Sequence, residues 1–302
     1  MKLVYFGTSD FAVPALQALA PHVVLVVSQP DRPTGRGMKL QSSPVKKIAL
    51  ELGLPVETPE KARAPEFVEL VAALEADVHV VAAYGQILSL KLLETAKNGG
   101  INLHGSILPQ YRGAAPIQRS ILNGDQETGV TLMQMDKGMD TGDMIDIART
   151  PIGPNETYGE LQTRLSFIAR DQIAQWIERL AVGDYPRNPQ DHEEATYANK
   201  IDRAETELDV NRSAKTEYDR FRAFTPAPSV FLATATGRIK IKEARLGSQT
   251  GDHGTILALN PLTIAFDGGS LELHTIQPEG KPAMPGSAWA LGRHLAVGSQ
   301  IV

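Results

Sequence analysis

The sequence lacks cysteine altogether among its 302 residues. Disulfide bonds and thiolate metal ligands are therefore excluded, and a reducing compartment is the natural setting for such a chain, so we expect a cytoplasmic protein. Long apolar runs are also lacking: no stretch reaches about 18 residues, and the first apolar strand is broken at Gly7. The sequence therefore predicts neither a membrane span nor a signal peptide.

An excess of positive charge is missing as well, because 30 Lys and Arg are set against 35 Asp and Glu, for a net charge of −5. This balance argues against a protein that coats nucleic acid nonspecifically, although a local basic patch can still bind it. Hydrophobic residues make up 42% and charged residues 22% of the chain, which is typical of a globular protein. The length suggests about two domains, each able to bury a core.

The first half of the chain alternates valine-rich strands with helical patterns. The predicted strands are KLVYFG, HVVLVVS, DVHVVAAYG, INLHG and VTLMQMD. The predicted helices are VPALQALA, SPVKKIALELG, PEFVELVAALEA and the long TYGELQTRLSFIARDQIAQWIERLA, several of them entered through Pro. Short apolar strands without alternation are typical of a sheet covered on both faces. The pattern predicts an α/β fold with a Rossmann-like, mostly parallel sheet and helices on both faces.

The hydrophobic pattern of the sequence changes after about residue 188, where RNPQDHEEATYANK is polar and has no hydrophobic period. Short alternating strands follow from about residue 228, separated by Gly, Asp and Pro: VFLATAT, RIKIKEAR, GTILALN, LTIAFDGG and SLELHTIQ. They predict a small antiparallel β-barrel of the OB type. We therefore expect a catalytic domain over residues 1–188, a linker over 189–205 and a barrel over 206–302.

Asn102 and His104 lie at the end of a predicted strand, in NLHGSILPQYRGAAP. Residues two apart on a strand point the same way, so an amide and an imidazole would lie side by side. A single His at such a place is most often a satisfied polar residue. Three features favour a site instead. Ligands bind at the carboxyl ends of strands in open α/β sheets, and the following segment SILP could form a wall with backbone donors. The next strand then leads into a glycine-rich turn with three carboxylates, Asp136, Asp140 and Asp143.

The three carboxylates do not have the spacing of a Ca²⁺ loop, and no His or Cys cluster accompanies them, so we expect no metal. A carboxylate beside His104 would fix the imidazole tautomer and favour its cation. Asn, His and Asp together suit the attack of an amine on a carbonyl. Asn102 and His104 would stabilise the oxyanion, and the proton would leave through His104 or a water polarised by Asp140.

These residues and several longer motifs resemble the formyltransferase family that uses 10-formyltetrahydrofolate. The resemblance covers nearly the whole chain and is closest to the members that formylate methionine on initiator tRNA. It is carried by FGTSDFAVPAL, QPDRPTGRGMKLQSSPVK, VAAYGQIL, HGSILPQYRGAAP, GAAPIQRSILNGD, GMDTGD, ATYANKI and IQPEGKPAM.

The resemblance implies a role for each of several segments. Asn102, His104 and Asp140 match the family's catalytic trio. It also implies folate contacts from two segments: Ser106, Ile107, Leu108 and Pro109, and Tyr84, Gly85, Gln86, Ile87 and Leu88. The inserted loop at residues 31–47 would grip the tRNA acceptor end through Arg32, Arg36 and Lys39, and the barrel would support the tRNA stem. The implied partners are thus initiator Met-tRNA and the folate co-substrate. The lack of long apolar runs predicts no membrane partner, and because no coiled coil is evident we expect a monomer.

The chain departs from the family pattern at Ser9, Met38, Ser89 and Ser229. None of these positions belongs to the catalytic trio. Three rivals remain open: a formyltransferase acting on a sugar nucleotide or a glycinamide ribonucleotide, a catalytically silent RNA-binding protein, and a folate hydrolase in which water replaces the amine.

Overall fold

The structure, a computed structural model, describes residues 1–34 and 39–302. The strands, in chain order, are β1 (Leu3–Gly7), β2 (Val23–Val27), β3 (Arg32–Thr34), β4 (Lys39–Gln41), β5 (Val56–Glu57), β6 (Val78–Ala82), β7 (Gly100–His104), β8 (Arg112–Gly113), β9 (Glu127–Gln134), β10 (Met144–Pro151), β11 (Tyr197–Ala198), β12 (Phe231–Thr234), β13 (Gly237–Gly247), β14 (Ile256–Leu259), β15 (Leu262–Phe266), β16 (Gly269–Pro278) and β17 (Met284–Pro285). The helices are α1 (Val13–Leu19), α2 (Pro44–Glu51), α3 (Pro65–Ala72), α4 (Leu90–Leu93), α5 (Pro116–Leu122), α6 (Tyr158–Val182), α7 (Ala214–Ala223) and α8 (Gly286–Gly292).

The chain divides into two compact units that are not contiguous in sequence. The first unit consists of Met1–Pro116, Glu127–Thr150 and Gln162–Ala198. The second consists of Ile117–Gln126, Pro151–Leu161 and Asn199–Val302. Two short segments near the middle of the chain therefore belong with the C-terminal residues.

A seven-stranded sheet forms the centre of the first unit, in the order β10-β9-β7-β6-β1-β2-β5. β1 is parallel to β2 and β6, and β6 is parallel to β7, whereas β9 runs antiparallel to β7. The strands from β7 to β2 are almost wholly buried, and the mainly apolar sequences of β1, β2 and β6 need cover on both faces. The predicted mostly parallel, Rossmann-like sheet is confirmed.

The topology of this sheet explains where a ligand would bind. The chain leaves β1 in one direction to reach β2 and β5, and in the other to reach β6 and β7. The crevice at the carboxyl ends of the strands, where the order reverses, is the usual ligand site of open α/β sheets. His104 ends β7 at that edge, and the segment from Tyr84 follows β6 there.

Ser89, one of the departures from the family pattern, has a clear local role. It is the N-cap of α4, with extended backbone, and its hydroxyl oxygen accepts a hydrogen bond from the backbone N–H of Leu92 at 3.2 Å. Serine oxygens at this position satisfy one of the N–H groups that a helix start leaves without a partner. The short helix α4 thus begins on a cap that the sequence itself supplies.

The second unit is built on an antiparallel sheet in the order β12-β13-β16-β15-β14, with β17 paired to β16. Its strands alternate buried and exposed residues most clearly in β13, where Ile239 and Ile241 face the core. This curled sheet confirms the predicted fold class, an α/β sheet followed by a small antiparallel barrel-type domain. Helix α7 was not predicted.

Among the helices of residues 1–34 and 39–302, none combines the length and the apolar character that a membrane span requires.

Ser229, another departure, lies in the turn that leads into this sheet. Its φ is +70°, in the left-handed region that glycine adopts without penalty. The Ser229 hydroxyl donates to the carbonyl of Pro226 at 2.7 Å, which ties the turn together. A serine therefore occupies a backbone conformation that favours glycine, and its side chain offsets part of the cost.

Candidate active site

Asp140 is the centre of a polar cluster at the end of β7. Its Oδ1 accepts a hydrogen bond from Asn102 Nδ2 at 3.3 Å, and its Oδ2 accepts one from the backbone N–H of Gly113 at 2.9 Å. His104 Nδ1 lies 3.6 Å from the same Oδ2. The structure thus brings together the amide, imidazole and carboxylate that the sequence singled out, although the roles assigned to them remain a proposal.

The ring of His104 is held in one orientation. Its Nε2 lies 2.9 Å from the carbonyl oxygen of Tyr111, and since a carbonyl can only accept, Nε2 must carry the hydrogen. Nδ1 is then the ring atom that faces Asp140 and can gain or lose a proton. His104 is only 5% exposed, so this exchange would take place in a largely desolvated site.

The turn between β9 and β10 places Asp140 by an unusual backbone conformation. Asp140 has φ +54°, in the left-handed region. Asp136 organises the start of the turn, where its Oδ1 accepts from the backbone N–H of Gly138 at 2.8 Å and from Thr141 Oγ1 at 2.7 Å. A Cβ on Gly142 would lie 1.9 Å from the carbonyl oxygen of Gln134, so only glycine fits there. The glycine-rich sequence is thus what allows the turn to project Asp140 toward β7.

The three carboxylates of this turn have different positions. Asp136 stabilises the turn and Asp140 faces Asn102 and His104, while the backbone carbonyl of Asp143 accepts from the N–H of Gln134 at 2.9 Å. Within residues 1–34 and 39–302, no group of three or more His, Asp or Glu is arranged to hold a metal ion.

A buried network beneath the turn was missed by the sequence analysis. The guanidinium of Arg112, 2% exposed, donates to Gln190 Oε1 from Nε at 3.0 Å and from Nη2 at 2.7 Å. Gln190 Nε2 in turn donates to the carbonyls of Asp140 at 2.9 Å and Gly142 at 2.7 Å. Gln190 belongs to the polar segment predicted as a linker, in which no hydrophobic period signals burial. Residues 189–198 lie in the first unit of the structure. The division into a catalytic domain, a linker and a tRNA-binding barrel stays a prediction.

The loop Ser106–Pro109 follows β7 and has two inward and two outward residues. Ser106 and Leu108 are buried, while Ile107 and Pro109 are half-buried. Thr131, another residue that the sequence analysis missed, fixes the loop: its Oγ1 donates to the carbonyl of Ser106 at 2.7 Å and accepts from the N–H of Leu108 at 3.1 Å. Ile107 and Pro109 are therefore the side chains of this loop that can offer surface to a ligand.

The segment Tyr84–Leu88 also faces both ways. Tyr84 is 2% exposed and packs edge-on against Phe6, with ring centroids 5.5 Å apart. Burial raises the pKa of its hydroxyl to about 12. Gly85 follows with φ +85°, and the side chain of Gln86 is tied down, accepting from the N–H of Ala62 at 2.8 Å. Leu88 is buried as well, whereas Ile87 is 83% exposed and is the side chain of the segment that is free to contact a ligand.

The basic loop is described only in part. β3 and β4 pair antiparallel, with Arg32 opposite Gln41 in the register, and Arg32 Nη2 lies 3.1 Å from Glu60 Oε2. Lys39 is exposed. Arg36 and Met38 lie outside the described residues.

Two known families match the chain in succession. Residues 1–177 match the formyl transferase family and residues 200–294 match the formyl transferase C-terminal domain. Methionyl-tRNA formyltransferase of Symbiobacterium thermophilum is 43% identical over 309 aligned residues, covering 99% of this chain and 95% of the relative. The enzyme of the same name from Neisseria meningitidis serogroup A is 42% identical over 308 aligned residues and covers both chains completely.

Among solved structures, the sugar 3N-formyl transferase WlaRD, crystallised with dTDP and 5-N-formyl-THF, has a TM-score of 0.68. The match covers 93% of this chain and 99% of WlaRD, at 20% identity. At that identity the likeness concerns the fold alone.

Proposed function

The chain belongs to the formyl transferase family, and we propose that it transfers the formyl group of 10-formyltetrahydrofolate to the α-amino group of methionine on initiator tRNA. The product, formylmethionyl-tRNA, would supply translation initiation. The observation that carries this proposal is the full-length relationship, above 40% identity, to methionyl-tRNA formyltransferases. The joined side chains of Asn102, His104 and Asp140 supply chemistry that fits it.

The reaction begins when the neutral amine attacks the formyl carbon. A new C–N bond forms while the carbonyl electrons move onto oxygen, which gives a tetrahedral intermediate with an oxyanion. Asn102 Nδ2 carries two hydrogens, of which one is directed at Asp140, and the other is suited to the oxyanion. His104 adds a second donor at Nδ1 when it is protonated, since its Nε2 is already committed to Tyr111.

Collapse of the intermediate breaks the bond from the formyl carbon to the folate nitrogen. The attacking nitrogen must lose a proton and the leaving nitrogen must gain one. The distance of 3.6 Å between His104 Nδ1 and Asp140 Oδ2 is too long for a hydrogen bond. Because the two groups do not hydrogen-bond to each other, they can exchange a proton with the reacting atoms or a water.

The formyl donor would lie at the carboxyl edge of β6 and β7. The exposed Ile87 and the half-buried Ile107 and Pro109 offer apolar surface there to a flat pterin ring. Of the other residues implied by the resemblance, Ser106, Leu108 and Tyr84 have buried side chains, so contacts from them would come from the backbone.

Each unit has basic surface of its own that suits contacts with tRNA. In the second unit, β13 exposes Arg238, Lys240 and Lys242 on the face opposite its buried isoleucines. In the first, β3 carries Arg32 and β4 carries Lys39, and Arg36 is assigned on the family resemblance. Such side chains suit phosphate contacts, which position a nucleic acid without reading its sequence.

The test is formyl transfer from 10-formyltetrahydrofolate to initiator Met-tRNA, with His104→Ala and Arg36→Ala beside the wild type. We expect His104→Ala to lower kcat by about 10²-fold or more, since it removes a proton carrier and a donor, while tRNA affinity is retained. Arg36→Ala should mainly raise the KM for tRNA. Formyl transfer to an amino sugar nucleotide or to water, with none to Met-tRNA, would contradict the acceptor but not the family.

A further inference from the structure

The side chain of Gln190 connects the turn that carries Asp140 to a buried arginine, and we propose that Gln190 is a positioning residue for formyl transfer. It would act through Asp140 without touching either substrate. The inference takes its reaction from the function proposed above, but the geometry that supports it does not depend on the identity of the acceptor.

All the hydrogen-bonding capacity of the Gln190 amide is used. Its two N–H groups are directed at the carbonyl oxygens of Asp140 and Gly142, at 2.9 and 2.7 Å, and its oxygen accepts two N–H groups of Arg112. The residue is 5% exposed, so water cannot readily replace these bonds. One amide thus holds two carbonyls of the same turn.

Arg112 determines which way the amide faces. A guanidinium can only donate, so Oε1 of Gln190 must be directed toward Arg112 and Nε2 toward the turn. Arg112 is itself fixed by a third bond, from Nη2 to His192 Nδ1 at 3.0 Å. Gln190 therefore has a single orientation, the one that clamps the turn.

The turn needs this support because its backbone is strained. Asp140 has φ +54°, and a residue with a Cβ persists in this strained region only when its surroundings impose the conformation. If the carbonyls of Asp140 and Gly142 were released, the turn could relax, and the carboxylate would leave the N–H of Gly113 and the ring of His104. Small displacements of a catalytic group strongly lower the rate of the chemical step.

The test compares Gln190→Met with a matched control, Gln172→Met. Gln172 is also a buried glutamine of the first unit. Its Nε2 donates to the carbonyl of Val130 at 3.3 Å and to Asp146 Oδ2 at 3.1 Å, and neither acceptor belongs to the turn. We expect Gln190→Met to lower kcat by ~10- to 100-fold with little change in either KM. Gln172→Met should leave kcat near that of the wild type. Equal kcat values for the two variants would overturn the proposal.

Gln190→Glu separates the two halves of the network. The carboxylate still accepts from Arg112 but places an oxygen, in place of the amide nitrogen, against the two carbonyls of the turn. We expect Gln190→Glu to lower kcat as much as Gln190→Met does. Wild-type activity in Gln190→Glu would overturn the proposal, because it would show that accepting from Arg112 is enough without the bonds to the turn. In an Asp140→Asn background Gln190→Met should add little to the loss, because both changes act on one group. The same additional loss in both backgrounds would indicate a general structural role and overturn the proposal.

A measurement without turnover distinguishes this proposal from the function on which it rests. The N–H of Gly113 is bonded to Asp140, whereas that of Ala114 is bonded to the carbonyl of Ala198 at 2.8 Å. In Gln190→Met, or in Gln190→Glu if the former does not fold, hydrogen exchange of the Gly113 amide should accelerate about tenfold or more, and that of Ala114 should not. Unchanged exchange at Gly113 would overturn the positioning role, whereas absence of Met-tRNA formylation by the wild type would overturn only the proposed function.

Discussion

His79 is a titratable residue in the middle of the central sheet, outside the candidate active site. It is fully buried in β6, where its Nε2 lies 2.8 Å from Thr95 Oγ1 and its Nδ1 has no hydrogen-bond partner. The Thr95 hydroxyl donates to the carbonyl of Leu92, so it accepts the hydrogen of Nε2. Burial lowers the pKa of His79 to about 4, because the cation cannot be solvated in the sheet.

This pKa makes the stability of the protein depend on pH. Between pH 6.5 and about 4 the unfolded chain binds a proton at His79 that the folded chain does not, so the free energy of unfolding falls as the pH is lowered. The loss on going from about pH 7.5 to about pH 5 should be roughly 2 kcal/mol. Denaturant unfolding at both pH values measures it. His79→Asn, which does not titrate, should remove this part of the pH dependence, and an unchanged dependence would contradict the prediction.

The residues of the site differ in how far the sequence could predict them. Asn102 and His104 could be paired because the strand period of two places both on one face, and Asp140 because a glycine-rich turn follows the next strand. Gln190 and Arg112 could not, since their contacts join residues 78 positions apart and leave no local period. Tyr84 was predicted to line the folate pocket, but no local signal tells that its ring is buried against Phe6.

At the level of elements, the cap of α4 offers a direct test of local stability. Ser89→Ala removes the hydroxyl that accepts from the N–H of Leu92, and such losses typically cost about 1 kcal/mol. Thermal unfolding of the variant should show a correspondingly lower midpoint. Ser89→Asp, which retains a capping oxygen, is the matched control and should stay near the wild type. A Ser89→Ala variant as stable as Ser89→Asp would show that the cap contributes nothing.

The elements that were predicted and those that were missed differ in what they bury. Strands β1, β2 and β6 of the central sheet were predicted because they bury continuous apolar runs, whereas the edge strands β5 and β10 were not predicted. Helix α7 was missed because it buries charge: Glu217, Asp219 and Arg222 are all under 5% exposed. Arg222 pairs with Asp219 at 2.6 Å, and such pairing makes polar side chains compatible with a core. A pattern of apolar residues cannot reveal it.

For the whole molecule, a net charge of −5 requires that any tRNA binding come from local basic surface. The exposed face of β13 is one such surface, and binding there should weaken as salt is raised because counterions are released from the RNA. We expect Lys240→Gln to raise the KM for tRNA and to reduce its salt dependence by about one phosphate contact. Arg149→Gln, which removes an arginine already paired with Glu127 at 3.0 Å, is the control. Equal salt dependence in the two variants would argue against a contact at β13.

The two units share the chain in an interleaved way, and this affects the order in which they can form during synthesis. Residues 151–161 belong to the second unit, where Arg222 donates to the carbonyls of Gly153 and Glu156 at 3.2 and 3.0 Å. Arg119, in the segment 117–126, pairs with Glu205. Ribosomes deliver these early segments long before their late partners, so the second unit cannot be completed until the C-terminal residues emerge. A nascent chain stopped after Ala198 would contain residues 117–126 and 151–161 without the C-terminal residues against which they pack, and both segments would be exposed to chaperones and proteases.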